Sequence, residues 1–342
     1  MITLNRKFDI DIDKAIVGLS GGPDSMALCH LLANSTDIDL LAIHVNYGVS
    51  PNSDQWEKIC EDYCRQLNIK FKSYRVDLGN NLSNFESRAR EARFKIFQSD
   101  GFSKFLFLGH NLNDQVETFF LKLGDGLRSL RAMNRITKFS DNLIILRPLL
   151  SYSRKEIMEY VKTHNIPYVQ DDSNNDVAKY DRNFIRHKVI PLLEERFPNF
   201  LKTMEKTLFA LNDSKFCLDD LAEMDLKKVL TDDGKISIEK IKDLPLQRIR
   251  NLLQYYLINK NFTTTYNELI SFSNNLVKVS YDKHLELSLK NRSLNRDNNK
   301  RYVLRQEGKY VSIVEMPRNL NKYNKNNSNN NRRNTNQSKA TR

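Results

Sequence analysis

The first half of the chain alternates short apolar runs with segments whose apolar residues recur every three or four positions. Runs of the first kind predict buried strands, and segments of the second kind predict amphipathic helices that pack on them. The predicted strands are centred on Ile16 and Val17 and lie at Ile38–Val45, Lys70–Val76, Phe105–Leu108 and Leu143–Leu146. This alternation predicts an α/β fold, a doubly wound, mostly parallel, Rossmann-like sheet that binds its ligand at the carboxyl ends of the strands.

The second half of the chain lacks this strand rhythm. Ser153 is a candidate N-cap for a helix over 154–164, and residues 200–274 have helical patterning interrupted by few breakers. Short alternating strands follow only at 281–314, and beyond Met316 the sequence is rich in Asn, Lys and Arg. We therefore expect an α/β domain at 1–200, a smaller, mainly helical domain at 201–315 and a disordered basic tail at 316–342.

Composition narrows the classes of partner. The 342 residues carry a formal net charge of +12, which favours polyanions, and nucleic acid above all, as partners. The 4 cysteines include no Cys-x-x-Cys pair, which argues against a zinc ribbon or a redox dithiol. Without a secretory leader or an apolar run of spanning length, we expect no membrane partner and a cytoplasmic location, or an organellar stroma or matrix.

The first predicted strand breaks into the loop Ser20–Ser25, which reads Ser-Gly-Gly-Pro-Asp-Ser. Gly21 and Gly22 allow a positive φ and a close approach to a ligand, and Asp24 or Ser25 can cap the helix that follows. Backbone N–H groups at such a helix start bind anions. The predicted phosphate-binding residues are therefore Ser20, Gly21, Gly22, Pro23, Asp24 and Ser25. The loop is neither a Walker A motif nor a dinucleotide fingerprint, and an ordinary strand-to-helix turn is the alternative.

A second polar cluster follows the strand at Phe105–Leu108. His110, Asp114 and Glu117 are spaced so that all three would share one face of a predicted helix over 111–123. One imidazole and two carboxylates beside a phosphate loop suit proton transfer, Mg²⁺ coordination or both. The alternative is a solvated polar face on a helix whose opposite side is buried.

The hexapeptide at 20–25 resembles the Ser-Gly-Gly-x-Asp-Ser signature of the PP-loop ATP pyrophosphatases, which cleave ATP between its α and β phosphates and adenylate a substrate. Within that superfamily, further segments resemble the tRNA(Ile)-lysidine synthases. These segments lie at 43–49, 86–93, 109–118, 147–157 and 171–191. The chain departs from the family pattern at Gly109, Tyr47 and Lys122, where alanine, histidine and arginine are usual.

The resemblance implies a two-step ligation on the isoleucine tRNA that carries a CAU anticodon. ATP adenylates the C2 carbonyl oxygen of the wobble cytidine and releases pyrophosphate; the ε-amine of free L-lysine then attacks C2 and expels AMP. The modified base pairs with A instead of G, so the codon read changes from AUG to AUA.

The resemblance also implies catalytic roles for Asp24, His110, Asp114 and Glu117. Mg²⁺ would be held near Asp24 and Asp114, or near Glu117, and would neutralise the charge of the departing pyrophosphate. Asp114 or Glu117 would orient the lysine or accept its proton, and His110 would steer the adenylated oxygen.

Two basic stretches are candidates for gripping RNA. The first contains Arg88 and Arg93 with Arg90 between them, and the second contains Arg182, Asn183 and Arg186. Either would contact phosphates or stack on a splayed base, while a solvated face paired with nearby glutamates is the alternative for the first. The domain after residue 200 would then serve tRNA binding.

Two other functions stay open at this stage. A tRNA thiolase of the same superfamily would also adenylate an RNA base, but it would require catalytic or cluster-binding cysteines. A basic RNA-binding module without catalysis would account for the charge alone. A homodimer is one alternative for the oligomeric state.

Overall fold

The computed structural model describes Ile2 and residues 10–79, 85–123, 132–170, 181–278, 280–281, 284–291 and 300–317. The chain divides into two compact units, Met1–Asn212 and Asp213–Arg342. The division falls inside a long helix that begins at Phe200, whereas the sequence pattern placed the boundary where that helix begins.

The first unit is built on a mixed sheet. Its strands among the described residues are β1 Lys14–Gly18, β2 Asp39–Asn46, β3 Lys70–Arg75, β4 Phe105–Phe107, β5 Ile136–Ser140 and β6 Leu143–Leu146. Their order is β3-β2-β1-β4-β6-β5, and every pair is parallel except β5 with β6. The predicted doubly wound, mostly parallel sheet is confirmed. Strand β5 escaped prediction because it is a short edge strand with largely exposed side chains.

Helices cover both faces of this sheet, as buried parallel strands require. In β4, Phe105 and Phe107 enter one apolar cluster while Leu106 enters the other, so adjacent residues on the strand alternate between the two cores. The helices of the first unit among the described residues are α1 Pro23–Ser35, α2 Ser53–Gln66, α3 Phe85–Ser99, α4 Leu112–Leu123, α5 Arg154–Thr163, α6 Asp181–Phe184, α7 Ile190–Arg196 and the start of α8 Phe200–Val229.

Local signals fix several helix ends. Ser153 caps α5 in a capping box with Glu156, which confirms the predicted N-cap. Between α6 and α7 lies a π-helical segment, Ile185–Val189, where the N–H of Ile190 donates to the carbonyl of Ile185. Pro191 follows at once, and its missing N–H releases a carbonyl in the preceding turn.

The second unit combines helices with an antiparallel sheet. Its elements among the described residues are the end of α8, β7 Ile236–Ser237, α9 Ile238–Ile241, α10 Leu246–Asn259, β8 Phe262–Thr263, α11 Tyr266–Leu276, β9 Glu286–Asn291, β10 Lys300–Glu307 and β11 Tyr310–Pro317. The strand order is β7-β11-β10-β9-β8. Strand β11 runs through Met316 to Pro317, and the remainder of the predicted tail lies outside the described residues.

No helix in the described part of the chain combines the length and the apolar character needed to cross a membrane.

Core packing around β4 generates a stability prediction. Phe107 is 1% exposed, whereas Phe209 on α8 is 71% exposed. Replacing Phe107 by Ala should lower the free energy of unfolding by about 3–5 kcal/mol, because it leaves a cavity beside the strand. Phe209→Ala is the matched control and should change it by less than about 0.5 kcal/mol. Urea unfolding followed by circular dichroism measures both, and equal effects would contradict the packing described here.

Candidate active site

The carboxyl ends of β1, β2 and β4 open into one cavity of about 930 Å³. Strand order reverses between β1 and β4, because β2 and β3 lie on one side of β1 and β4, β6 and β5 lie on the other. Open α/β sheets bind ligands at such a point. The residues that border the cavity come from the loop after β1, the end of β2 and the loop that follows it, the start of α2, one side of α3 and the turn after β4; among them are Ser20, Asp24, Ser25, His44, Tyr47, Arg90, Arg93 and His110.

The Ser20–Ser25 loop adopts the tight turn predicted from its two glycines, but only one of the two has a backbone conformation that favours glycine. Gly21 has a φ of 84°, and a Cβ there would lie 2.9 Å from Val169. Gly22 has a φ of −70°, so the predicted positive φ is wrong at that position. Gly22 instead precedes Pro23, the first residue of α1, where a fixed φ and a missing N–H suit a helix start.

No side chain caps the start of α1, so the prediction that Asp24 or Ser25 would cap this helix is wrong. The Ser25 hydroxyl instead donates to the Gly22 carbonyl at 3.0 Å and accepts from the Ser20 N–H at 3.2 Å. The loop is thereby closed on itself, and the first N–H groups of α1 have no side-chain cap, which leaves them available to an anion.

Asp24 joins the turn after β1 to the turn after β4. Its Oδ1 accepts from Asn111 Nδ2 at 2.9 Å, while burial and the charge of Asp114 raise the pKa of its carboxyl. A Cβ on Gly109 would lie 2.8 Å from the carbonyl oxygen of Asp24. Glycine at 109, where the resembled family usually has alanine, therefore permits this close approach of two backbone segments.

His110 lies before helix α4 rather than on it, because α4 begins at Leu112. Asn111 and Asp114 close the helix start reciprocally, each side chain accepting from the other's backbone N–H at 2.9–3.0 Å. His110 borders the cavity, and neither Asp114 nor Glu117 is among the described residues that do. The prediction that the three side chains share one face is therefore wrong.

His110 is a neutral imidazole in this structure. Burial, followed by the charges of Arg147 and Arg90, lowers its pKa to about 3. Its buried Nδ1 has no hydrogen-bond partner among the described residues. An unpartnered polar atom beside a cavity is costly unless a ligand or water completes its hydrogen bond.

Asp114 and Glu117 form a compact network with two arginines. Arg182 and Arg186 each place Nε 2.6 Å from a different oxygen of Glu117. Both also reach Asp114 Oδ1, at 3.1 and 3.4 Å. The Glu117 side chain is fully buried, and a buried carboxylate requires such pairing. The sequence proposed these acids as proton acceptors and these arginines as RNA ligands; the structure brings the two groups together instead.

Of the other predicted RNA ligands, some border the cavity and some do not. Arg93 borders the cavity, as does Arg90 from the same basic stretch. Arg90 also lies over the Phe94 ring, with Cζ 4.8 Å from its centroid. Arg88 is outside the described cavity lining and donates to the Leu78 carbonyl at 2.6 Å. Asn183 is buried. The family-like segment at 171–180 lies outside the described residues.

Sequence reasoning missed the residues at the end of β2. His44 is buried, and its Nδ1 donates to the Leu19 carbonyl at 2.9 Å, which leaves Nε2 as an acceptor because burial lowers the pKa of the imidazole. Asn46 Nδ2 donates to Asp54 and Glu57 at 3.0 and 2.7 Å. The available signal was a pair of polar residues within an otherwise apolar strand.

The buried cysteines are unsuited to redox or cluster chemistry. Cys29, Cys60 and Cys64 are fully buried, and Cys217 is exposed. Burial raises the pKa of Cys60 to about 12, and a hydrogen bond with Cys64 together with burial raises that of Cys29. Thiolate is the reactive and metal-binding form. The described part of the chain holds no group of three His, Cys, Asp or Glu residues arranged for a metal ion.

The sheet order, the self-closed loop and the open helix start define a PP-loop domain. The PP-loop domain family matches residues 3–193, and the chain belongs to that family. The fold agrees with the U34-tRNA thiolase NcsA of Methanococcus maripaludis at a TM-score of 0.52 and 21% identity, over 62% of this chain and 76% of that one.

More similar in sequence are tRNA(Ile)-lysidine synthases. The chain is 37% identical to that of Nitrosomonas europaea over 259 residues, which are 72% of this chain and 55% of the relative. It is 38% identical to that of Photorhabdus laumondii over 245 residues, 69% of this chain and 55% of the relative. The chain thus spans just over half the length of the curated relatives it matches.

The low pKa of His110 generates a titration prediction. The pKa of His110 is about 3 in the folded protein and 6.5 ordinarily. Between these pH values His110 is protonated in the unfolded chain but not in the folded protein, so the free energy of unfolding falls as the pH drops from 6.5 toward 3. The imidazole resonances of His110, assigned by comparison with His110→Asn, should not shift between about pH 5 and 8. A titration midpoint near 6.5 would contradict the desolvated site.

Proposed function

We propose that this protein ligates L-lysine to C2 of the wobble cytidine of tRNA(Ile) with a CAU anticodon, at the expense of ATP, in the cytoplasm or an equivalent organellar compartment. The observation that carries the proposal is the Ser20–Ser25 loop at the uncapped start of α1. Ser20, Asp24 and Ser25 of this loop border the same cavity as His110. The identity to lysidine synthases supports the choice of substrate.

The chemistry follows from what the cavity offers. The N–H groups at the start of α1 would bind the triphosphate, and Arg90 and Arg93 would balance its charge. The cytidine C2 oxygen attacks the α phosphorus, and pyrophosphate leaves. The lysine ε-amine then attacks C2, AMP leaves, and one proton is lost from the amine.

His110 would act as a hydrogen-bonding group and not as an acid. Its pKa of about 3 keeps it neutral at physiological pH, so one ring nitrogen donates and the other accepts. We assign it to the cytidine O2 or N3 edge, where it would orient the base for attack.

The residues fit a magnesium ion held mainly by substrate phosphates. Asp24 borders the cavity, and the neighbouring charge of Asp114 helps to raise its pKa. A cation there would relieve that repulsion, and Mg²⁺ commonly binds one or two carboxylates with phosphates completing its shell. When bound, it would supply charge neutralisation for the departing pyrophosphate.

Of the two acids proposed to orient lysine or accept its proton, Asp114 is the better candidate. Glu117 is fully buried and held at 2.6 Å by two guanidinium groups, whereas the Asp114 side chain is 14% exposed with contacts of 3.1 and 3.4 Å. An ammonium group could therefore approach Asp114 without breaking the shortest pairs. Glu117 would anchor Arg182 and Arg186.

The thiolase alternative is weaker, because the buried thiols have raised pKa values and thiol chemistry requires thiolate. The RNA-binding module without catalysis remains the contrasting outcome of the experiment.

The test measures pyrophosphate release and labelled lysine in tRNA, with ATP, Mg²⁺ and CAU-anticodon tRNA(Ile). We expect both signals, and Asp24→Ala should lower both by about a hundredfold or more. Asp141→Ala, at a side chain 91% exposed, is the matched control and should leave both unchanged. Pyrophosphate without lysine incorporation would indicate another RNA ligase, and neither signal would indicate a binding module.

A further inference from the structure

Asn111 contacts both Asp24 and Asp114, although the residue is only 2% exposed. Its Nδ2 donates to Asp24 Oδ1 at 2.9 Å, and its Oδ1 accepts from the backbone N–H of Asp114 at 2.9 Å. Its own backbone N–H donates to Asp114 Oδ2 at 3.0 Å. A single amide side chain thus lies between the acid of the phosphate loop and the acid assigned to lysine.

Part of this arrangement is an ordinary helix cap. Asn111 precedes Leu112, the first residue of α4, and its reciprocal bonds with Asp114 are those of a capping box. Such a cap requires a side-chain acceptor at the first position, which asparagine and serine supply about equally well. The cap therefore accounts for the bonds to Asp114 but not for the amide donor that lies against Asp24.

The bond from Asn111 leaves one oxygen of Asp24 for a ligand. Asp24 borders the cavity, its Oδ1 is occupied by the amide, and its Oδ2 has no hydrogen-bond partner among the described residues. The negative charge of Asp114 acts on the same carboxylate, and like charges repel. The amide donor between the two acids offsets part of this repulsion and restrains the orientation of the Asp24 carboxylate.

We propose that Asn111 is a positioning residue that holds Asp24 for the Mg²⁺ ion that arrives with ATP. The inference rests on the proposed function, which supplies the ligand. A carboxylate that is already oriented binds a cation with a smaller loss of conformational freedom than a mobile one. Loss of the amide donor therefore weakens the binding of ATP with Mg²⁺, whereas the binding of ATP without the metal does not depend on it.

The test measures the dissociation constant of ATP by isothermal titration calorimetry, once with Mg²⁺ and once with EDTA in its place. Asn111→Ser keeps an acceptor for the Asp114 N–H, but its side chain ends one bond short of the atom that contacts Asp24. We expect this variant to bind ATP about tenfold more weakly with Mg²⁺ and equally well in EDTA. Asn34→Ser, at an exposed asparagine of α1, is the matched control and should change neither affinity.

Two further variants separate positioning from capping. Asn111→Ala removes both the cap and the amide donor, so its melting temperature should fall by about 2 °C while that of Asn111→Ser stays at the wild-type value. Because Asn111 acts through Asp24, adding Asn111→Ser to Asp24→Ala should cause no further loss of affinity for ATP with Mg²⁺.

Unchanged affinity of Asn111→Ser for ATP with Mg²⁺ would overturn the proposal, because capping would then be the whole role of Asn111. An equal loss with Mg²⁺ and in EDTA would also overturn it, since the substitution would then disturb the phosphate loop as a whole, and so would a further loss in the double variant. These titrations use neither tRNA nor lysine. Absence of lysine incorporation by the wild-type protein would refute the proposed function and leave the ATP comparison interpretable.

Discussion

The pairing of Glu117 with Arg182 and Arg186 is the constraint on which the site depends. A carboxylate with no exposed surface is stable only if nearby cations and hydrogen bonds replace water, and two guanidinium groups at 2.6 Å meet that need. Because the acid is on α4 and the arginines are on α6 and the π-helical segment, the pairing fixes these elements together. Asp114 shares the same arginines.

Hydrogen bonds connect this network of acids and arginines to the phosphate loop at 20–25. Asp114 accepts from the backbone of Asn111, and the Asn111 side chain donates to Asp24. Asp24 is also packed against Gly109. Asp24 is thus positioned by a chain of hydrogen bonds that ends at a buried ion pair. Around the cavity lie neutral histidines and the cationic Arg90 and Arg93, an arrangement that favours a polyanionic ligand.

The sequence predicted the fold well because its signals are local. Buried parallel strands are continuous apolar runs, and the main strands of the sheet were found in this way. Edge strand β5 was missed because its side chains are largely exposed and leave no period-2 pattern. The phosphate loop was predicted because its glycines and its place after β1 are adjacent in sequence.

The candidate site was less predictable because its contacts join distant segments. Spacing suggested that His110, Asp114 and Glu117 share one helix face, but α4 begins after His110. His110 borders the cavity, whereas the two acids pair with arginines. No local pattern shows that arginines 65 and 69 residues away in sequence bind Glu117. The family resemblance pointed to these residues, while the partners of each side chain are visible only in the fold.

The most direct test of this account is a double-mutant cycle on tRNA-dependent pyrophosphate release, using Glu117→Gln, Arg186→Gln and the double variant. If Glu117 acts by holding Arg186, the double variant should be about as active as the more impaired single variant, because one interaction is lost in all three. Fully additive losses would contradict the account, since they would mean that the two side chains act independently, one on lysine and the other on RNA.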